Sequence, residues 1–222
     1  MENTALTNLC FHGIGRLERE REPGESAYWT SRETYRRILD LVVDRDDVRI
    51  SFDDGNASDV QIGLPELTNR GLLAIFFPIA DRLGESGSLG RDDLQELRLR
   101  GMTIGSHGMR HRSWRHLTSD SREDEFDRAR AQIAEAAGTE VTTAACPLGA
   151  YDRSVLVALW RRGYRSVHTS DRARARRDAW LQPRYSVRAS DGVDDIRALV
   201  EHPPPMQHRL KAGARILAKS LR

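Results

Sequence analysis

The sequence predicts an α/β chain of parallel β/α units, closed or nearly closed into a barrel. Three observations carry that expectation. Short apolar runs alternate with amphipathic stretches of helical period. Roughly six or seven such units follow one another, each near the ~30 residues of a βαβ repeat. Two of the apolar runs end in polar turns bearing carboxylates or histidines, as strand ends do at the active face of a barrel.

Taken in order, candidate strands lie at 6–11, 48–52, 72–77, 102–106, 142–145 and 166–169. Ser31 caps a helix whose apolar positions Tyr35, Ile38, Leu39 and Val42 recur at helical spacing. Further helices are expected at 60–70, 91–100, 121–137, 154–162 and 193–201. The polar segment 13–27, with Gly15 and Gly24, reads as a long loop over one barrel end, and 172–177 as a basic loop. After the prolines at 203–205, residues 206–222 form a basic helix with Leu210, Ala214, Leu217 and Leu221 on about one face. The chain therefore divides into a main domain, 1–202, and a basic helical tail, 203–222.

Composition bounds the function. With 39% hydrophobic residues in 222, the chain can bury an ordinary core. Thirty-five basic residues against 33 acidic ones leave a formal +2, which excludes a strong general attraction to nucleic acid. Two cysteines, Cys10 and Cys146, make no disulfide framework and read as buried thiols. The first residues lack a basic, then apolar, signal-peptide pattern, and no window of about 18 apolar residues could span a bilayer. A cytoplasmic address is the resulting expectation.

Chemistry concentrates in two segments. In Ile50-Ser51-Phe52-Asp53-Asp54-Gly55 an apolar strand ends in two carboxylates and a glycine. Neighbouring residues leaving a strand point in different directions, so one carboxylate can hold a metal while the other faces an attacking water; a solvated turn is the plain alternative. In Met102-Thr103-Ile104-Gly105-Ser106-His107-Gly108-Met109-Arg110-His111, the two histidines stand four residues apart, within reach of one ion. Two histidines and a carboxylate, with a further position left for water, form a common catalytic zinc set.

These segments resemble the first and second motifs of the polysaccharide deacetylases of carbohydrate esterase family four, and Pro147-Leu148-Gly149-Ala150-Tyr151-Asp152 resembles the third. The resemblance runs from about residue 6 to 196. It implies a distorted, incomplete (β/α) barrel of about seven strands. It further implies that Asp54, His107 and His111 bind a divalent metal and that Asp53 is the general base. The Leu148 amide would face the oxyanion, with Pro147, Gly149 and Tyr151 around the substrate. Zn²⁺ suits imidazole-rich ligation, with Co²⁺, Ni²⁺ or Mn²⁺ as alternatives.

Three positions depart from the family pattern. Gly108 follows the first motif histidine, where a serine or threonine is usual. Ala145 stands where the third motif usually begins with arginine; Arg184, on a later strand, is the expected replacement beside Asp53. The usual leucine-x-histidine acid near the C-terminus is missing, and His12 in Leu9-Cys10-Phe11-His12-Gly13 resembles the strand-end histidine of circularly permuted members. His12 is accordingly the candidate acid.

Trp114 is expected either behind the metal site or in a sugar-binding wall, and Trp29 and Trp180 as sugar platforms or packing. His168 could line the pocket or be structural. The implied activity is metal-dependent removal of an N-acetyl or O-acetyl group from an amino-sugar glycan or a glycan-lipid precursor. Its rivals are an amidase on a small C–N substrate and a glycan-binding pseudoenzyme. The basic tail suggests weak peripheral contact with an anionic membrane, against the alternative of a solvated basic helix. Specific nucleic-acid binding is not expected, and oligomeric state is not legible.

Overall fold

A computed structural model describes residues 5–202 and 205–222. The elements are β1 (Ala5–Phe11), β2 (Gly13–Ile14), β3 (Trp29–Thr30), α1 (Arg32–Val42), β4 (Val48–Asp54), α2 (Leu64–Thr68), β5 (Ala74–Pro78), α3 (Arg91–Leu99), β6 (Thr103–Ile104), α4 (Ser119–Arg122) and α5 (Ala129–Ala137). They continue with β7 (Thr143–Ala145), α6 (Arg153–Arg161), β8 (Ser166–Thr169), β9 (Ala175–Arg176), β10 (Leu181–Pro183), β11 (Tyr185–Ser186), α7 (Val193–Glu201) and α8 (Met206–Leu221).

Parallel pairing organises the barrel. One sheet runs β11-β1-β4-β5-β6 and a second runs β10-β8-β7, with every pair in these paths parallel. The two meet on one side through a parallel bridge between Ser106 and Ala144. On the other side they share the segment 181–186: its first half, β10, pairs with β8, and its second, β11, pairs with β1. The ring thus has seven strand positions and remains incomplete, the last strand breaking at Arg184. The antiparallel contact of β9 with β1 lies off this path.

Helix α1 forms where its spacing predicts. The Ser31 hydroxyl accepts from the Thr34 amide, and Tyr35, Ile38, Leu39 and Val42 are the buried residues. They meet a row of rings across the sheet. Phe11, Phe52 and Phe76 stand in register on β1, β4 and β5, with centroids 5.6 and 4.6 Å apart, and Tyr35 packs edge-on against Phe11 at 5.0 Å. Because strand side chains alternate, the helix-facing phenylalanines leave Cys10, Ser51 and Asp53 to the opposite, inner face. This alternation aims the polar residues into the barrel.

Several boundaries differ from the sequence expectation for physical reasons. The strand expected at 48–52 continues through both carboxylates, because Asp53 and Asp54 pair in register with Phe77 and Pro78. The run expected at 102–106 holds only two strand residues. Helix 121–137 becomes α4 and α5 joined by a wider π-type stretch, Glu123–Arg128. A similar stretch, Asp59–Gly63, opens the shorter α2.

Helix α8 forms as expected but docks the other way round. Ala212 is buried and Ile216, Lys219 and Ser220 are half-buried, whereas Met206, Leu210, Leu217 and Leu221 are exposed. None of the helices among the described residues is long and apolar enough to cross a membrane.

Candidate active site and metal centre

Asp53 and Arg184 form the most buried polar pair of the site. Arg184 donates from Nη1 to Asp53 Oδ1 (2.7 Å) and from Nη2 to Oδ2 (2.6 Å), and its Nη1 also donates to Ser51 Oγ (3.1 Å). The guanidinium is fully buried and lies over the Phe77 ring at 5.3 Å. Burial by itself would push the Asp53 carboxyl upward. The adjacent guanidinium overrides it and, with His107, holds the carboxyl well below its ordinary range. Asp53 is therefore anionic near neutral pH and fixed in orientation.

Asp54 points elsewhere. Its φ of 75° is left-handed, a strained choice for a residue with a side chain, and it turns the carboxylate toward the second histidine segment. Oδ1 lies 3.6 Å from His107 Nε2 and 3.5 Å from His111 Nε2, yet it is buried without a hydrogen-bond partner. Four-coordinate bonds of about 2.0–2.2 Å separate ligand atoms by roughly 3.3–3.6 Å. The spacing and the orphaned oxygen both fit a divalent ion.

Second partners orient each imidazole. His107 Nδ1 is 2.9 Å from the Ala145 carbonyl, so it carries the proton and leaves Nε2 free as a ligand. Burial, countered in part by Asp53, pushes the His107 imidazole down to about 4, so it is neutral near pH 7. His111, itself left-handed at φ 52°, places Nδ1 2.6 Å from Glu22 Oε2. Glu22 also pairs with Arg82. This carboxylate comes from the loop between β2 and β3, far away in sequence, and was not among the expected site residues.

A second trio, Cys10, His12 and Asp53, also brings its ligand atoms within 4.8 Å of one another. It suits a cation poorly. The Arg184 guanidinium on both Asp53 oxygens already neutralises that carboxylate and would repel an ion beside it, and burial drives the Cys10 thiol well above its ordinary value. Neither cysteine is in a disulfide.

The glycine at 108 has a local cause. It sits at φ 80°, and an added Cβ would lie 2.4 Å from Glu125 Oε2. Glu125 is fully buried; it accepts from the Met109 amide (2.8 Å) and Trp114 Nε1 (3.3 Å) and pairs with Arg112 (2.8 Å). The turn that a hydroxyl usually supports is held here by a carboxylate.

The remaining expected residues separate into those on the cleft and those behind it. A cleft of about 250 Å³ is lined by His12, Glu22, Tyr28, Asp53, Asp54, His107, His111, Cys146 and Leu148, among others. His12 packs at a tilt against Tyr28, ring centres 4.8 Å apart, and its Nδ1 is buried without a partner. Leu148 stands exposed on the rim in a left-handed turn (φ 58°).

Trp114 and Tyr151 require correction as substrate contacts. Trp114 is fully buried against Phe126, its Nε1 taken by Glu125, so of its two expected positions the one behind the metal site is observed. Tyr151 is buried with its hydroxyl given to Asp171 (2.7 Å). Pro147 and Gly149 shape the turn from within. His168 is buried beside Phe77 rather than on the cleft, and burial with Arg184 pushes it down to about 3. Neither Trp29 nor Trp180 lines the cleft; Trp180 donates to the Tyr164 carbonyl at 2.7 Å.

The family model described as polysaccharide deacetylase matches residues 41–167, more than half of the chain. The chain belongs to the polysaccharide deacetylase family. Among curated proteins, YxkH of Bacillus subtilis (strain 168), assigned by name to the same family, is 27% identical over 146 residues, covering 66% of this chain and 52% of its own. The chain thus spans about half the length of that relative. Two solved structures share the fold. Streptococcus pyogenes PplD, solved with acetate, superposes with a TM-score of 0.78 at 15% identity, over 89% of this chain and 99% of its own. IcaB from Ammonifex degensii superposes with a TM-score of 0.73 at 22% identity, over 90% and 98%. At the two motif departures noted in the sequence of this family member, Gly108 packs against Glu125 and Ala145 offers its carbonyl to His107 Nδ1.

The Glu22–His111 contact makes a quantitative prediction. Glu22→Gln should lower divalent-metal affinity about 10- to 100-fold, the usual cost of losing such a partner. Titration of metal-free protein with Zn²⁺ against a competing chelator checks it, and unchanged affinity would remove Glu22 from the site.

Proposed function

We propose that this protein is a divalent-metal-dependent deacetylase acting on the N-acetyl, or O-acetyl, group of an amino-sugar glycan or glycan precursor. One observation carries the reading. A single cleft holds the Asp54–His107–His111 set beside an Asp53 carboxylate that Arg184 keeps anionic. A divalent ion held by Asp54, His107 and His111 would supply Lewis acidity, polarising the acyl carbonyl and making water easier to deprotonate. Zn²⁺ fits two imidazoles and a carboxylate best, with Co²⁺, Ni²⁺ and Mn²⁺ as alternatives.

The chain's own residues then divide the work. Asp53 accepts the water proton on a carboxylate oxygen; Arg184 occupies one lone pair on each oxygen and leaves others free. Arg184 keeps Asp53 ionised and so able to accept a proton. The Leu148 N–H, on the rim, faces the developing oxyanion. His12, across the same cleft, protonates the departing amine.

A glycan-lipid precursor is one form of this substrate, and weak contact with an anionic membrane belongs to that form. Helix α8 supports it. Met206, Leu210, Leu217 and Leu221 are exposed, and residues 206–222 carry Arg209, Lys211, Arg215, Lys219 and Arg222 with no acid. Cosedimentation should occur with vesicles rich in anionic lipid and not with zwitterionic ones. Equal indifference to both removes the membrane contact.

The activity itself is tested by Asp53→Asn. Acetate release from acetylated chitooligosaccharides should fall about 10²–10⁴-fold while bound metal stays at the wild-type level. Undiminished turnover would reject Asp53 as the base. Faster hydrolysis of small amides than of glycans would favour the amidase reading. Sugar and metal binding without acetate release would favour the pseudoenzyme.

A further inference from the structure

We propose that Lys219 of α8 is a positioning residue that locks the Leu148 turn, making the C-terminal helix part of the active site. The catalytic consequence rests on the deacetylase reading above; the geometry does not.

Leu148 and Gly149 are consecutive left-handed residues, at φ 58° and 59°. Such a conformation persists at a residue with a side chain only where its surroundings over-determine it. Two short bonds hold the turn from within, Gly149 N–H to the Cys146 carbonyl (3.1 Å) and Ala150 N–H to the Pro147 carbonyl (3.0 Å). The third restraint comes from α8. Lys219 Nζ donates to the Gly149 carbonyl at 3.0 Å.

The same ammonium completes a buried network. Asp171 is fully buried, and its Oδ2 accepts from Tyr151 Oη (2.7 Å) and Thr169 Oγ1 (2.7 Å). Its Oδ1 accepts from Lys219 Nζ at 2.7 Å, the one ion pair of Asp171 among the described residues. The ammonium also sits 4.9 Å from the centre of the Tyr151 ring. Asp171 and Tyr151 lie beneath the turn, so Lys219 ties both its floor and its backbone to the helix.

Docking of α8 depends on this lysine more than on leucine packing. The helix turns Ala212, Ile216, Lys219 and Ser220 inward and exposes Leu210, Leu217 and Leu221. Of its five basic residues, Lys219 alone makes an ion pair with the barrel among the described residues.

The test compares Lys219→Met, Lys219→Arg and Lys211→Met in the full chain, Lys211 being exposed on the same helix. Amide hydrogen exchange at Gly149 and Ala150 should speed up in Lys219→Met and stay at wild-type rates in Lys211→Met. Acetate release should show kcat reduced about 10- to 100-fold in Lys219→Met, short of the about 10²–10³ for a whole oxyanion donor, with KM little changed. Lys219→Arg should recover part of both. Unchanged exchange and kcat in Lys219→Met overturn the proposal. Should Lys219→Met fail to fold, Lys219→Met with Asp171→Asn removes the unpaired charge while still lacking the Gly149 bond. Wild-type kcat and exchange in that double variant overturn it equally. Should the wild type release no acetate, the deacetylase reading fails and hydrogen exchange alone decides the lysine's role.

Discussion

Arg184 holds the last turn of the barrel and the first carboxylate of the active site with one guanidinium. It stands where the final strand breaks between β10, paired to β8, and β11, paired to β1. Burying a guanidinium costs several kcal/mol before pairing, and a well-formed buried pair often returns little net stability over apolar packing. Losing one partner is a different matter, at about 3–5 kcal/mol. The pair is thus a poor choice for stability and a good one for orientation. It fixes both oxygens of Asp53 and keeps them charged inside a barrel that would otherwise protonate them. Arg184 also helps to keep His107 and His168 neutral, after burial itself.

Around that pair, three of the five left-handed non-glycine residues among the described ones line a single cleft. Asp54, His111 and Leu148 all have left-handed backbones without being glycine. Contacts from distant segments hold His111 through Glu22 and the Leu148 turn through Lys219, and the Ala145 carbonyl fixes His107. The barrel supplies direction through strand alternation, and the loops supply restraint. The Asp54–His107–His111 group, Asp53 and Leu148 thereby line one cleft without any one element carrying all of them.

The regular parts of this arrangement were legible in the sequence because they depend on local periodicity. The α1 core positions, the strand at 166–169 and the helix at 193–201 follow from spacing and capping alone. The Asp54–His107–His111 group was legible as a candidate metal set because residue type and spacing coincide at strand ends, and Arg184 as the partner of Asp53 because a conspicuous position was left without its arginine. Glu22 was not, since one acid in a polar loop looks like any other until the loop folds back over His111. The substrate contacts expected of Trp114 and Tyr151 failed for a related reason. Their polar atoms found buried carboxylates, Glu125 and Asp171, that no local pattern pairs with them. The short strands β10 and β11 carry too few residues for a periodic signal.

The central claim is that one divalent ion sits between Asp54, His107 and His111, next to an Asp53 kept for the water. Anomalous diffraction at the zinc edge from crystals grown with one equivalent of Zn²⁺ tests it most directly. The account predicts a single strong peak within about 2.0–2.2 Å of Asp54 Oδ1, His107 Nε2 and His111 Nε2, with the Arg184–Asp53 bonds intact. A peak at the Cys10–His12–Asp53 cluster, with Arg184 displaced from Asp53, would contradict it.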